Sequence, residues 1–68
     1  MKVTLKINGM KCAHCTARVE KALNSIDEVS AKADLNNNCA YVECPDGYDV
    51  SILRTAVEDV GFDVTATE

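Results

Sequence analysis

Alternating hydrophobic and polar positions give way twice to helical spacing along this chain, and each change of period marks a boundary. Residues 2–8, KVTLKIN, place Val3, Leu5 and Ile7 on one side and Thr4 and Lys6 on the other, the pattern of a strand with one buried face. Gly9 ends it. From about Ala13 to Ser25 the period becomes helical: Cys15, Val19, Ala22, Leu23 and Ile26 share a stripe, and Ala17, Glu20, Lys21 and Asn24 take the opposite face. Residues 29–35 alternate again, with Val29, Ala31, Ala33 and Leu35 on one side. Asn36 to Asn38 supply a turn, since Asn tolerates positive φ. CAYVEC returns as the second strand of a hairpin, with Ala40, Val42 and Cys44 inward and Cys39 expected to point outward beside the turn.

Pro45-Asp46-Gly47 breaks the pattern. Asp49 is placed to cap a second helix, in which Leu53, Ala56, Val57 and Val60 share a face and which Gly61 terminates. Phe62 to Ala66 reads as a last strand. The order βαββαβ predicts an α+β fold of the ferredoxin-like kind, a four-stranded antiparallel sheet with two helices on one face. Residues 1–68 form a single domain, with no repeat, linker or low-complexity segment.

Composition narrows the function. A chain of 68 residues buries only about 60% of the surface its unfolded form exposes, so the core is thin. A net charge of -4 and the absence of Trp argue against nucleic acid and anionic membranes. No leader pattern and no apolar run near the roughly 20 residues of a membrane span are visible. The cytoplasm is therefore the expected compartment, where thiols stay reduced and a close cysteine pair binds metal or does redox work more often than it forms a structural disulfide.

The chemistry lies in four cysteines. Cys12 and Cys15 stand at C-x-x-C spacing, Cys12 in the loop and Cys15 in the first helical turn, whose unpaired N–H groups favour thiolate. Cys39 and Cys44 raise the alternative of a four-thiolate zinc site. On a strand, five residues separate them by roughly 16 Å and turn them to opposite faces, which excludes a shared ion. Cys44 reads as a small core residue. A thioredoxin-like redox role needs a larger βαβ framework than this chain offers. Two soft thiolates with no fixed third ligand suit Cu(I) best; Hg(II) fits the same geometry, and Zn(II) prefers four ligands.

The stretch GMKCAHC, Gly9 to Cys15, resembles the G-M-x-C-x-x-C loop of heavy-metal-associated domains, the small copper chaperones and the soluble metal-binding domains of copper-transporting P-type ATPases. The resemblance extends over the ADL…CAYVE hairpin and the ending LRTAVEDVGFDV. It implies Cu(I) bound by Cys12 and Cys15, with Met10 as an apolar plug rather than a thioether ligand and Phe62 as the aromatic packed beside the loop. Lys11 departs from the common small residue. Its ammonium can lower the thiolates' pKa and offset the charge of a bis-thiolate centre, and it disfavours zinc. His14, inside the C-x-x-C, is expected in solvent, tuning the site rather than ligating.

By the same resemblance the protein binds and transfers Cu(I) to a P-type ATPase or its soluble metal-binding domain by thiolate exchange and is not an enzyme. It has no direct membrane insertion, is a monomer without metal, and has a copper-bridged dimer open to it. The start at Met1 favours a free-standing protein over a domain of a larger ATPase. A Hg(II) or Zn(II) binder on the same fold is the further alternative. Lys11, Arg18 and Lys21 gather near the site as a docking edge, while Asp46, Asp49, Glu58, Asp59 and Asp63 are expected in the other half of the domain.

Overall fold

A computed structural model describes residues 1–68. The elements are β1 (Lys2–Asn8), α1 (Ala13–Asn24), β2 (Ser30–Asp34), β3 (Cys39–Glu43), α2 (Val50–Asp59) and β4 (Asp63–Thr67). The four-stranded sheet has the order β2-β3-β1-β4, with every neighbouring pair antiparallel. Two βαβ crossovers are thereby interleaved, each skipping one strand, which is the ferredoxin-like arrangement predicted from the period changes. Helix α1 lies over β2, α2 lies over β4, and the helices touch each other.

The core forms between sheet and helices. Leu5, Ile7, Val42, Val19, Leu23, Leu53 and Val57 are fully buried, and no polar or charged residue is buried with them. Central strand β1 supplies Val3, Leu5 and Ile7 to this layer, as its alternation requires. Edge strand β2 is only half-buried at Ala31 and Ala33, because it has a neighbour on one side alone.

Local chemistry sets the ends of α2. Asp49 caps it by accepting from the Ser51 N–H at 3.0 Å. At the other end Gly61 takes φ +95°, its N–H donates to the Glu58 carbonyl, and the Phe62 N–H donates to that of Val57. This is the paired bonding of a Schellman turn, and it directs Phe62 back into the core.

Two expectations are corrected. Cys39 does not point into solvent: it is fully buried. It lies on the helix-free face of the sheet, outside the main core, on an inner strand. Lys6 and Asp34 stand level with it on either side, and Tyr41 follows two positions on. The neighbouring Cys39 thiol pushes the Tyr41 hydroxyl's pKa up. A small side chain between larger neighbours is covered even where no helix packs. Glu20 and Asn24, assigned to the solvent face of α1, instead bond the backbone of β2. Periodicity separates a helix's inner from its outer face but does not show that a sheet edge runs alongside.

Leu23→Ala is expected to cost about 2–5 kcal/mol, since the side chain is fully buried. Urea unfolding of the two proteins measures it.

Asp34 and Asp49 both hold pKa values below the ordinary carboxylate range. Asp34 is lowered chiefly by the Asn37 amide at 2.7 Å and Asp49 by the Ser51 hydroxyl at 2.7 Å. Because the folded pKa is the lower one, the stability each contributes is complete above roughly pH 5 and is lost as pH falls through the folded value. Asp34→Asn with Asp49→Asn should therefore flatten the fall of the urea midpoint at acid pH, leaving its remaining slope to other carboxylates.

Candidate metal centre

The site begins where β1 stops. Gly9 turns the chain at φ +105°, and a Cβ there would lie 3.4 Å from Phe62 Cδ1, so the chain passes close to the aromatic ring. Met10 then enters the core and is 5% exposed, as an apolar anchor for the loop. With its side chain turned inward, the following residues are held outward: Lys11 and Cys12 are exposed.

Cys12 is the N-cap of α1, in extended conformation, rather than a free loop residue. Its carbonyl accepts from the N–H groups of Cys15 at 3.0 Å and Thr16 at 3.3 Å, starting the helix. Its side chain makes no capping bond to those amides, and the first turn contains no acid. The helix N-terminus therefore keeps its partial positive charge available to an anion bound at the cap. In α2, by contrast, Asp49 uses the cap position for stability.

Cys15 stands three positions later, half-buried against the core. The two sulfurs are 3.8 Å apart, free of any disulfide and within thiol hydrogen-bond distance. A metal–sulfur distance of about 2.3 Å on each side spans sulfur separations up to about 4.6 Å, so one ion reaches both. The Cys15 thiol is held below its ordinary pKa. A hydrogen bond from the Lys11 backbone is the largest cause; Cys12 and the Arg18 guanidinium add to it, and partial burial opposes it. The Lys11 backbone makes this contribution, which is invisible in side-chain identity.

The remaining sequence-predicted residues fall into two groups. Met10 and Phe62 support the loop from the core side. His14, Arg18 and Lys21 are exposed and, with Ala17, line a shallow groove along α1. None of Lys11, Arg18 and Lys21 is in an ion pair; the three pairs present are the N-terminal ammonium with Asp46, Lys2 with Glu43, and Arg54 with Glu58. The acids are less segregated than expected, because Asp63 stands level with Asn8 at the loop end of β1. Strand pairing, not position in the chain, puts it there.

No three His, Cys, Asp or Glu side chains converge anywhere in the fold. Cys39 and Cys44 lie apart from the Cys12–Cys15 pair, one on the helix-free sheet face and one in the core. The donor set is two thiols on one helical turn, open to solvent on one side.

This arrangement has known counterparts. The chain is 43% identical over 65 residues to a copper-exporting P-type ATPase of Staphylococcus aureus (strain JH9), covering 94% of this chain and 8% of the relative. The strain Newman protein of the same description is 42% identical over 64 residues, again over 8% of its length. The chain thus spans about 8% of the length of the curated relatives it matches. Among solved structures, the CopZ metallochaperone superposes with a TM-score of 0.90 at 42% identity, covering 96% of this chain and 100% of that one. A copper binding domain from HMA7, a P-type ATPase, gives 0.87 at 31% identity, covering 98% and 96%. Oxidized MerP from Ralstonia metallidurans CH34 gives 0.85 at 30% identity, covering 97% of each. The family model of the heavy-metal-associated domain matches residues 4–63, and with the loop and fold described above the chain belongs to that family.

Proposed function

We propose that the protein binds one Cu(I) ion through Cys12 and Cys15 and delivers it, in the cytoplasm, to the soluble metal-binding domain of a copper-transporting P-type ATPase. The observation that carries this reading is the pair of free thiols with sulfurs 3.8 Å apart at the start of α1, with no third donor beside them. A soft ion content with two thiolates fits that donor set; zinc, which seeks four ligands, does not. The lowered Cys15 pKa favours the thiolate form, which is the one that binds such an ion. The likeness to the CopZ metallochaperone over that protein's entire chain supports a carrier role.

Transfer follows from exposure. Cys12 is open to solvent, so an incoming thiolate can join the ion from that side while Cys15 still holds it. One of this chain's sulfurs then leaves, and the coordination number returns to two. Phe62 and Met10 support the loop from beneath, and neither needs to ligate. Lys11, Arg18 and Lys21, free of intramolecular ion pairs, give the approach face its positive charge and would steer an acidic partner surface. His14 stands on the same face, where an imidazole can tune an encounter.

A second reading has its own support. The 43% identity to segments of much longer copper-exporting ATPases suits a metal-binding domain of such an enzyme, with the same site and the same exchange chemistry. A Hg(II)-binding role draws on the donor set alone, since two thiolates suit that ion as well.

Cys12→Ser and Cys15→Ser should each abolish retention of Cu(I) against a competing chelator. Cys39→Ser with Cys44→Ser should leave one Cu(I) per chain and lower the unfolding midpoint, because both thiols are buried. A fall in copper stoichiometry in the second protein alone would overturn the two-thiolate site.

Lys21→Glu should slow copper transfer to an ATPase metal-binding domain at low ionic strength and have little effect at high salt, with Cu(I) affinity unchanged. Lys21 is the better choice here than Arg18, whose guanidinium also lowers the Cys15 pKa. Equal transfer rates for wild type and variant at low salt would place docking elsewhere.

A further inference from the structure

The outer edge of β2 is occupied by two side chains of α1. The Ala31 N–H donates to Asn24 Oδ1 at 2.8 Å, and Asn24 Nδ2 donates to the Ala31 carbonyl at 3.0 Å. One turn back along the helix, Glu20 Oε2 accepts from the Ala33 N–H at 3.2 Å. The spacings match: four residues of helix advance about 6 Å, and two residues of strand about 6.6 Å. Asn24 gives Ala31 the donor and acceptor that a neighbouring strand would give, and Glu20 supplies the next acceptor in the ladder.

The edge needs such cover. Between Ser30 and Asp34 there is no proline, and the ladder to β3 runs without a bulge. Natural sheets guard exposed edges with these devices or by covering them. Ala31 and Ala33 are small and half-buried, so they present little steric obstacle to a strand laid alongside.

We infer that Glu20 and Asn24 form a side-chain cap in the place of a fifth strand, and that this cap keeps the β2 edge from pairing with a second copy of the chain. The second copy is the fitting occupant because the strand complements itself. Antiparallel pairing centred on Ala33 sets that residue, whose N–H faces outward, opposite its own symmetry mate. The same register places Lys32 of each copy opposite Asp34 of the other, a favourable cross-strand pair made twice by the two-fold symmetry. Centring on Lys32 instead would oppose two lysines.

The experiment uses the full chain, reduced and metal-free, so that neither a disulfide nor a bridging ion can join two copies. Sedimentation over a concentration series compares wild type, Glu20→Ala with Asn24→Ala, and that double variant with Lys32→Glu added. The double variant is expected to dimerise at least about tenfold more tightly than wild type, and Lys32→Glu, which sets like charges across the pair, to reverse it. In dilute, monomeric samples, hydrogen exchange of the Ala31 and Ala33 amides should accelerate about tenfold in the double variant. Should that variant fail to fold, Asn24→Leu keeps the bulk, removes two of the three bonds and is read in the same way. A folded variant whose Ala31 and Ala33 amides exchange freely while it stays monomeric overturns the proposal, as does dimerisation that Lys32→Glu leaves untouched.

Discussion

Met10 is a loop residue with 5% exposure, and its burial constrains everything that follows it. Its side chain joins the layer between sheet and helices, where Phe62 and Ile7 also lie. An apolar side chain of this size gains about 1.5–3 kcal/mol from full burial, enough to hold one loop geometry against many open ones. With Met10 inward and Gly9 turned close over Phe62, Cys12 falls at the helix cap and Cys15 within the first turn. The sulfurs are therefore positioned from below by hydrophobic packing while their upper side stays open. The proposed carrier role needs this combination, because an ion must be held in one geometry yet remain reachable by another protein's thiol.

The two helix N-termini show what the site gives up. Asp49 closes α2 with a side-chain bond to an amide of the first turn. Cys12 occupies the same position in α1 and makes no such bond. A capping Ser, Asp or Asn there typically contributes about 1 kcal/mol, and α1 forgoes it. In exchange, the amides and their partial charge stay directed at the place where thiolate develops. The lowered Cys15 pKa has a neighbouring source, chiefly the Lys11 backbone just before the cap. The cost to α1 is offset by its buried face, through Val19 and Leu23, and by its bonds to β2.

Those bonds tie the cysteine-bearing helix to the sheet at a second place. Packing alone fixes how close a helix lies to a sheet; hydrogen bonds to edge backbone also fix its position along the strand. Glu20 and Asn24 thus hold the body of α1 in register with Ala33 and Ala31, while Met10 holds the loop before it. The thiols sit between these two anchors.

The sequence by itself determined the order of elements, the inward faces of β1 and both helices, the cap at Asp49, the stop at Gly61 and the thiol loop from Gly9 to Cys15. Each of these is a local matter, written in a period of two or 3.6 or in the φ that one residue tolerates. Tertiary structure alone decided the rest. Cys39 is buried because β3 is an inner strand, with Lys6 and Asp34 at its sides and Tyr41 beside it. Asp63 reaches the loop end because β4 pairs antiparallel with β1. Glu20 and Asn24 serve the β2 edge because the crossover lays α1 along it. In every such case the deciding neighbour is distant in the chain, and periodicity records which side of an element is covered without recording by what.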